Sequence, residues 1–332
     1  MHIGVPKEIK DHEDRVGLVS SSVAELVRHG HEVMVEAGAG LGAGLEDELY
    51  VAAGGRIVAT AEEIFANAEL IVKVKEPLAS ERKRLRKGQV LFTYLHLAPD
   101  PEQTRDLLKS GVTAIAYETV TSPFGTLPLL TPMSEIAGRL APQVGARYLE
   151  RTSGGRGVLL GGVPGVPPAE VVVLGGVSGT HAATIALGMG ATVTIVDRSA
   201  EVLRRIAVQL PGARTIFSTH DALVQVVRRA DLLIGAVLVP GAAAPKLVMR
   251  DMVKTMKTAS VLVDIAIDQG GCSETSRPTS HSHPVYVEEG VTHFCVTNMP
   301  GAVSRTSTFA LNNATLPFVL ALADKGWRRA IA

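Results

Sequence analysis

Polar side chains stand directly after short apolar segments of this 332-residue chain, at positions where acid–base and anion-binding chemistry are possible. Lys75 follows residues 70–74, His96 follows residues 90–95, and Asp268 closes a third apolar segment. Sheets of parallel strands bind their ligands at the carboxyl ends of the strands. A lysine there can hold an anion, while a histidine changes its protonation near neutral pH and can act as a general acid or base. The pattern predicts an anion site with a proton-transferring group.

Each of these positions also has a structural interpretation. Lys73 lies on the same strand face as Lys75, and we expect it at a solvated strand edge. Lys75 itself is equally consistent with a surface charge and with an anion-binding role. For His96, a hydrogen-bonded structural role is the alternative to catalysis. Arg15 stands among charged residues and is either a surface charge or a guanidinium that clamps a carboxylate.

Two acids lie in or just beyond one apolar segment. Asp264 and Asp268 belong to the sequence VLVDIAIDQGG, and a carboxylate in such surroundings is costly to ionise without a partner. We therefore expect a function for at least one of them. His281 and His283 could suggest a metal site, but no acid or cysteine stands at ligand spacing. A solvated loop is the preferred interpretation, and no metal is expected.

A dinucleotide-binding pattern occupies the middle of the chain. An apolar run leads to Gly175, Gly176 and Gly179, then to a helix of small residues and a second strand that ends at Asp197. Such glycines let a pyrophosphate approach the backbone at a helix N-terminus, and the acid binds a ribose hydroxyl. The cluster is one residue shorter than G-x-G-x-x-G. Asp197 favours NAD, although the adjacent Arg198 could tolerate a 2′-phosphate.

An alternation of strands and helices must position these residues. Predicted strands cover residues 2–5, 31–35, 70–75, 90–95, 112–120, 171–174, 192–196, 214–217, 232–237, 260–265 and 293–296. Predicted helices cover residues 23–28, 61–68, 101–110, 131–150, 200–210, 221–229, 250–256 and 307–323, and another begins near 180. Such alternation gives parallel sheets with helical crossovers. The expected fold class is α/β, with two doubly wound Rossmann-like domains, the central one inserted in the first. The first domain is residues 1–128 with a returning helix in 306–332, and the second is residues 129–305.

Composition excludes several classes of protein. Lysine plus arginine and aspartate plus glutamate number 33 each, which gives no excess charge for binding nucleic acid or a membrane surface. No apolar run approaches the ~18 residues of a membrane span, and charges stand near the N-terminus where a secretory signal needs an apolar core. The two cysteines provide neither a disulfide framework nor a zinc site. We expect a soluble cytoplasmic protein.

Seven ordered motifs make the chain similar to the L-alanine dehydrogenase family. They are GVPKE at 4–8, KVKEP at 73–77, FTYLHL at 92–97, TPMSEIAGR at 131–139, DIAIDQGG at 264–271, NMPGAV at 298–303 and TSTFAL at 306–311. The resemblance runs from about residue 1 to residue 328. The transhydrogenase α-subunits share the fold and some of the motifs, and the sequence resembles them less.

The resemblance implies reversible, NAD-dependent oxidative deamination of L-alanine to pyruvate and ammonium by a homohexamer. It assigns Arg15 and Lys75 to the substrate carboxylate, with Lys75 also polarising the carbonyl. His96 would shuttle the proton, and Asp268 would orient or activate the water that attacks the imine. The first domain would supply the substrate groups and the second would supply Asp268, so that closure assembles the site.

The resemblance also implies a set of cofactor-binding residues. Beside Gly175, Gly176 and Gly179 they are Ser134, Val177, Ser178, Asp197, Ser218, Val237, Leu238, Ile265, Ala266, Ile267, Asp268, Arg277, Val296, Thr297, Asn298 and Met299. Two alternatives stay open beside this function, and the shortened glycine loop motivates the first of them. One is a catalytically impaired NAD-binding homologue with an oligomeric or sensing role. The other is an amino-acid dehydrogenase with a shifted substrate.

Overall fold

The computed structural model describes residues 1–237 and 244–331. The chain divides into two compact units, Met1–Met133 with Gly301–Ala332, and Ser134–Pro300. The second unit is therefore inserted in the first, and the α/β fold class predicted from the sequence is confirmed. The predicted domain limits, at 128/129 and 305/306, lie a few residues from these boundaries.

Strands and helices alternate along both units. The strands are β1 His2–Val5, β2 Glu32–Glu36, β3 Arg56–Val58, β4 Leu70–Val72, β5 Val90–Thr93, β6 Thr113–Ala116, β7 Glu170–Leu174, β8 Thr192–Asp197, β9 Arg214–Phe217, β10 Leu232–Gly235, β11 Val261–Asp264, β12 Val285–Glu288 and β13 Val291–Phe294. The helices are α1 Ser20–Arg28, α2 Asp47–Ala52, α3 Ala61–Asn67, α4 Ala79–Arg82, α5 Pro101–Ser110, α6 Thr131–Leu149, α7 Gly176–Gly188, α8 Ala200–Gln209, α9 His220–Arg229, α10 Arg250–Lys254, α11 Ser304–Lys325 and α12 Trp327–Ala330.

The first unit contains a six-stranded sheet in the order β3-β2-β1-β4-β5-β6, with every pair parallel. Strand order reverses direction between β1 and β4, and the crevice at such a switch point is where ligands bind in doubly wound sheets. β4 and β5 are buried along their whole length because they are central strands covered on both faces. The segments that follow β1, β4 and β5 therefore meet at one edge.

The second unit contains a seven-stranded sheet in the order β12-β13-β11-β10-β7-β8-β9. Its strands run parallel except for β12, which pairs antiparallel with β13 at the edge. Here the order reverses between β7 and β10. The sequence patterns missed β12 and β3, both of which are short edge strands with partly exposed side chains.

Three predicted strands of the first unit end earlier than expected, and the difference matters for the site. The segments predicted as 70–75 and 90–95 leave the sheet after Val72 and Thr93. The segment predicted as 112–120 ends at Ala116 and continues as a 3₁₀ turn, Tyr117–Thr119. Beyond the ends of β4 and β5, side-chain carboxylates accept hydrogen bonds from main-chain N–H groups.

Helix α11 completes the first unit from the far end of the chain. Asn312 lies on this helix, is buried, and donates from Nδ2 to the Gly17 carbonyl at 2.8 Å. Its Oδ1 accepts from the Val19 N–H at 3.3 Å and from the Ser22 hydroxyl. Among the described residues, no helix combines the length and apolarity that crossing a bilayer requires.

Candidate active site

Arg15 lies inside the first unit rather than on its surface. Its side chain is 2% exposed and forms a bidentate ion pair with Glu13. The Arg15 Nε donates to Glu13 Oε1 at 2.6 Å, and the Arg15 NH2 donates to Glu13 Oε2 at 2.6 Å. Burial works against the charged form, but the hydrogen bonds and charge of Glu13 hold the pKa of Arg15 above its usual value. The interpretation of Arg15 as a surface charge is wrong, and a fixed, permanently charged guanidinium remains.

Lys75 follows β4 at the switch-point edge and is half-buried. Burial lowers its pKa, and the positive charge of Arg15 lowers it further, while Glu76 acts in the opposite direction. Two cations that are close enough to repel each other leave an excess of positive charge in a partly desolvated place. A bound carboxylate would relieve that excess, so the electrostatics favour an anion-binding role for Lys75.

His96 follows β5 and has a left-handed backbone, with a φ of 47°. Its Nδ1 lies 3.5 Å from Glu76 Oε2, and its ring stacks on Tyr94 with the centroids 5.7 Å apart. Burial raises the pKa of Glu76, but the nearby His96, the hydrogen bond from Lys10 and the charge of Lys75 outweigh it, so the pKa lies well below its usual range. An ionised carboxylate therefore faces one ring nitrogen of an imidazole whose side chain is 45% exposed.

Two other carboxylates bind the main chain next to these side chains. Glu8 Oε1 accepts from the N–H groups of Val74 and Lys75, at 2.7 and 3.3 Å. Glu118 Oε1 accepts from the His96 N–H at 2.6 Å, and both of its carboxylate oxygens lie 3.2 Å from the N–H of the preceding residue. Neither glutamate is recognisable as a site residue from the sequence, although Glu8 belongs to the GVPKE motif.

Lys73 corrects the sequence interpretation. The expected solvated strand edge is wrong, because Lys73 is 0% exposed. Its ammonium lies 3.1 Å from Glu8 Oε2 and 2.7 Å from Glu81 Oε1. Strand periodicity could not reveal this, since β4 is a central strand with both faces covered. A buried lysine survives there because two carboxylates neutralise it.

The second unit carries the expected dinucleotide-binding unit, β7-α7-β8. Gly175 has a φ of 93°, and a Cβ atom there would lie 2.8 Å from the Ala236 carbonyl oxygen. At Gly179 a Cβ would lie 2.6 Å from Val173, so the missing side chain lets α7 pack on β7. These are two of the roles that glycines play in nucleotide-binding turns, so the residues fit a bound dinucleotide.

Asp197 ends β8, and its carboxylate already has main-chain partners. Its Oδ2 accepts from the Gly176 N–H at 2.6 Å, and its Oδ1 accepts from the Ser199 N–H at 2.7 Å. A Cβ at Gly176 would lie 3.1 Å from the same Oδ2 and closer still to Val202. The shortened loop therefore passes directly over the acid that the sequence assigns to ribose.

Most other residues assigned to the cofactor lie at the same edge of the second sheet. They follow the carboxyl ends of parallel strands: Ser218 after β9, Val237 after β10, Ile265, Ala266, Ile267 and Asp268 in a 3₁₀ turn after β11, and Val296, Thr297, Asn298 and Met299 after β13. Ser134 lies in α6, and the Arg277 guanidinium lies 3.9 Å from the centre of the Tyr286 ring. Leu238 and the side chains of Val177 and Ser178 lie outside the described residues.

The two acids near β11 differ in their surroundings. Asp264 is buried and accepts from the N–H groups of Ala266 and Cys272 and from the Ser276 hydroxyl, at 3.1, 2.8 and 2.6 Å. It therefore shapes the turn that carries Asp268. Asp268 is exposed. Of the two, Asp268 is the one that a ligand can reach.

Of the two histidines that could suggest a metal site, His281 and His283, the first has a structural role. His281 Nε2 lies 2.7 Å from the Asn298 carbonyl oxygen, so it ties its loop to the segment that follows β13. Within residues 1–237 and 244–331, no group of three or more histidine, cysteine, aspartate or glutamate side chains could hold a metal ion.

Comparisons with known proteins agree on one family. The family descriptions "Alanine dehydrogenase/PNT, N-terminal domain" and "Alanine dehydrogenase/PNT, C-terminal domain" match residues 4–137 and 141–332. An alanine dehydrogenase from Halomonas elongata is 60% identical over 100% of this chain and 90% of its own. A solved L-alanine dehydrogenase is 55% identical, with a TM-score of 0.97 over 100% of this chain and 92% of that one. A transhydrogenase from Sinorhizobium meliloti is 28% identical, with a TM-score of 0.86 over 98% and 95%.

Proposed function

The chain belongs to the alanine dehydrogenase/PNT family, and we propose that it catalyses the reversible oxidative deamination of L-alanine to pyruvate and ammonium with NAD. The observation that carries the proposal is the cluster at the switch-point edge of the first sheet. It combines a fixed guanidinium, Arg15, a lysine with a lowered pKa, Lys75, and an imidazole beside a carboxylate, His96. An α-amino or α-keto acid needs a cationic clamp and a proton carrier.

The substrate carboxylate is the group that Arg15 and Lys75 would bind. When pyruvate is the substrate, the charged ammonium of Lys75 would also polarise its carbonyl oxygen. Glu13 holds the guanidinium of Arg15 in one orientation by two hydrogen bonds of 2.6 Å, which makes the clamp rigid before substrate arrives. Lysine is suited to the second role because it is a compact point charge.

Proton transfer is the task that we assign to His96. The ionised Glu76 places its Oε2 3.5 Å from the Nδ1 of this ring, where a carboxylate can orient the imidazole for proton transfer. Asp268, on its exposed turn, would orient or activate the water that converts the imine to the ketone. In the reverse direction the same groups would return the proton and release the water.

NAD supplies a hydride acceptor when it is bound. The chain would hold it with the glycine turn at Gly175 and Gly179 and with Asp197, together with the segments that follow β9, β10, β11 and β13. The positive-φ turn at Gly175 and the close packing of α7 on β7 at Gly179 support this assignment. Ser134 and Arg277 belong to the same proposal, as do Val177, Ser178 and Leu238.

The experiment is to follow NADH formation from L-alanine at alkaline pH with folded protein. We expect turnover that requires NAD, with a Lys75→Met or His96→Gln variant reducing kcat/KM by at least ~100-fold. The absence of turnover at saturating NAD would refute the proposal. A panel of other amino acids, compared by kcat/KM, identifies a shifted substrate, because pocket shape discriminates by only ~1–3 kcal/mol per methylene.

A second candidate function is an NAD-binding homologue with impaired catalysis. The observation that favours it is the Gly176 N–H at 2.6 Å from Asp197, since that bond competes with a ribose hydroxyl. Calorimetric titration separates the two functions. Tight NAD binding without turnover supports the impaired homologue, and ordinary turnover excludes it.

We extend the proposal to assembly and location. A homohexamer is supported by family membership. Light scattering of the purified protein tests it.

A cytoplasmic location is supported by Cys272 and Cys295, which are both unbridged and buried. Cell fractionation tests that part.

A further inference from the structure

We infer that Glu8 and Glu118 are positioning residues, which hold Lys75 and His96 in place by binding their main-chain N–H groups. The inference rests on the proposed function, because it takes those two side chains as the substrate groups. It concerns how the chain keeps two reactive side chains fixed where the regular sheet has already ended.

Sheet hydrogen bonding stops before both residues. β4 ends at Val72 and β5 at Thr93, three residues before Lys75 and His96 respectively. Within the described residues, two main-chain bonds continue the contact between these segments: the Lys73 N–H donates to the Phe92 carbonyl at 3.1 Å, and the Tyr94 N–H donates to the Val74 carbonyl at 3.2 Å. The N–H groups next to the two reactive side chains have no strand as a partner.

Glu8 supplies the missing acceptor after β4. Its Oε1 accepts from the N–H groups of Val74 and Lys75, at 2.7 and 3.3 Å. Its other oxygen lies 3.1 Å from the Lys73 ammonium, which is fully buried and is also bound by Glu81. Buried charges that are paired and hydrogen-bonded form a rigid unit. Through Glu8, the main chain at Lys75 is thus held in a fixed position relative to the buried Lys73 ammonium.

Glu118 supplies the acceptor after β5, where the backbone itself is unfavourable. His96 has a φ of 47°, a left-handed conformation that costs free energy for any residue other than glycine. Glu118 Oε1 accepts from the His96 N–H at 2.6 Å, and both oxygens bind the Leu95 N–H at 3.2 Å. A carboxylate that binds two successive N–H groups stabilises this turn, and the turn directs the imidazole toward Glu76.

We expect substitutions of the two glutamates to have different kinetic effects. Loss of the Glu8 contacts displaces the ammonium that binds the substrate carboxylate, so Glu8→Gln should raise KM for L-alanine about tenfold. Loss of the Glu118 contacts displaces the proton carrier, so Glu118→Gln should lower kcat by about ten- to a hundredfold with little change in KM. Neither variant should change the affinity for NAD.

Amide hydrogen exchange supplies a readout that does not depend on turnover. We expect the segment 94–97 to exchange faster in Glu118→Gln, and the segment 73–76 to exchange faster in Glu8→Gln, with the rest of each sheet unchanged. Because Glu8→Gln also weakens the Lys73 ion pairs, Glu118→Gln is the decisive variant if the first one folds poorly.

Asp231→Asn is the matched control. Asp231 is a buried carboxylate of the second unit that accepts from the Glu170 N–H at 2.9 Å and pairs with Lys257 at 2.9 Å, at the start of the strands. We expect it to lower the melting temperature while kcat and KM stay unchanged.

The outcomes separate this inference from the proposed function. Turnover of L-alanine by the unmodified protein decides the proposed function alone. Variants that lose stability like Asp231→Asn, with unchanged KM and kcat and uniformly faster exchange, would overturn the inference. Local exchange at the two segments, together with the split between KM and kcat, supports it.

Discussion

At the scale of single residues, the charge of Lys75 is the most informative property of the site. Its pKa is lowered by burial first and by the Arg15 guanidinium second. The free protein therefore keeps this lysine charged at some cost, and the cost disappears when a carboxylate binds beside it. Ligand binding and lysine protonation are then linked, because each favours the other.

This linkage gives a prediction for pyruvate. Below the lowered pKa, Lys75 is charged and binding is tight. As the pH rises through that pKa, which lies under 10.5, binding must also take up a proton, so affinity should fall by about tenfold per pH unit. Calorimetric titration of pyruvate across this range measures the fall. Exposed Lys87 offers a control, since Lys87→Met should leave the pH dependence unchanged. An affinity that stays constant up to pH 10.5 would contradict the prediction.

The sequence identified the reactive side chains but not the groups that hold them. Lys75, His96 and Asp268 stand out because position at a strand end and residue type are both visible in the sequence. Glu8 and Glu118 are distant along the chain from the N–H groups that they bind, and nothing in local periodicity connects them. Lys73 was expected to be solvated, because its burial depends on neutralisation by Glu8, which lies 65 residues away along the chain.

At the scale of elements, the buried triad Lys73–Glu8–Glu81 decides the stability of β4 and its neighbours. All three side chains are at most 2% exposed. Attraction among them offsets the loss of hydration, and removal of one member leaves uncompensated charge in the interior. Substitution of any one of the three residues should therefore lower the stability of the protein.

Lys73→Met should accordingly lower the free energy of unfolding by about 3–5 kcal/mol, since it leaves two buried carboxylates without their cation. Urea denaturation measures the change. The triple variant with Glu8→Gln and Glu81→Gln should recover much of the loss, while Lys83→Met on the exposed surface should have almost no effect. A loss below ~1 kcal/mol for Lys73→Met would show that the triad is hydrated in solution.

The glycine turn between β7 and α7 gives a second prediction at this scale. Insertion of one glycine between Gly176 and Val177 restores the usual loop length and should release the Gly176 N–H from Asp197. Affinity for NAD should then improve about tenfold, or ~1.4 kcal/mol. A glycine inserted after Gly165, where an added Cβ meets no atom within 4 Å, is the control for insertion itself. Unchanged affinity would mean that the shorter loop holds the phosphates equally well.

At the scale of the whole molecule, alternation in the sequence was sufficient to predict two doubly wound sheets. Central strands such as β7 and β10 are continuous apolar runs, and parallel pairing with helical crossovers follows from them. The antiparallel edge strand β12 escaped because its residues are half exposed and its pairing depends on a tight turn at Gly290. Edge strands bury too little to leave a clear pattern.

Helix α11 has a consequence for the order in which this chain folds. Its Asn312 binds Gly17, 295 residues away, and its Thr308 hydroxyl accepts from the Val16 N–H, 292 residues away. During synthesis, the segment 1–133 therefore leaves the ribosome first, and the helix that satisfies these main-chain groups is made only after the whole inserted unit. A fragment of residues 134–300 should fold alone. In the nascent chain, residues 1–133 should expose enough apolar surface to bind chaperones until residues 301–332 have been made. Pulse proteolysis of nascent chains of increasing length would show protection of the insert first and of the N-terminal strands last.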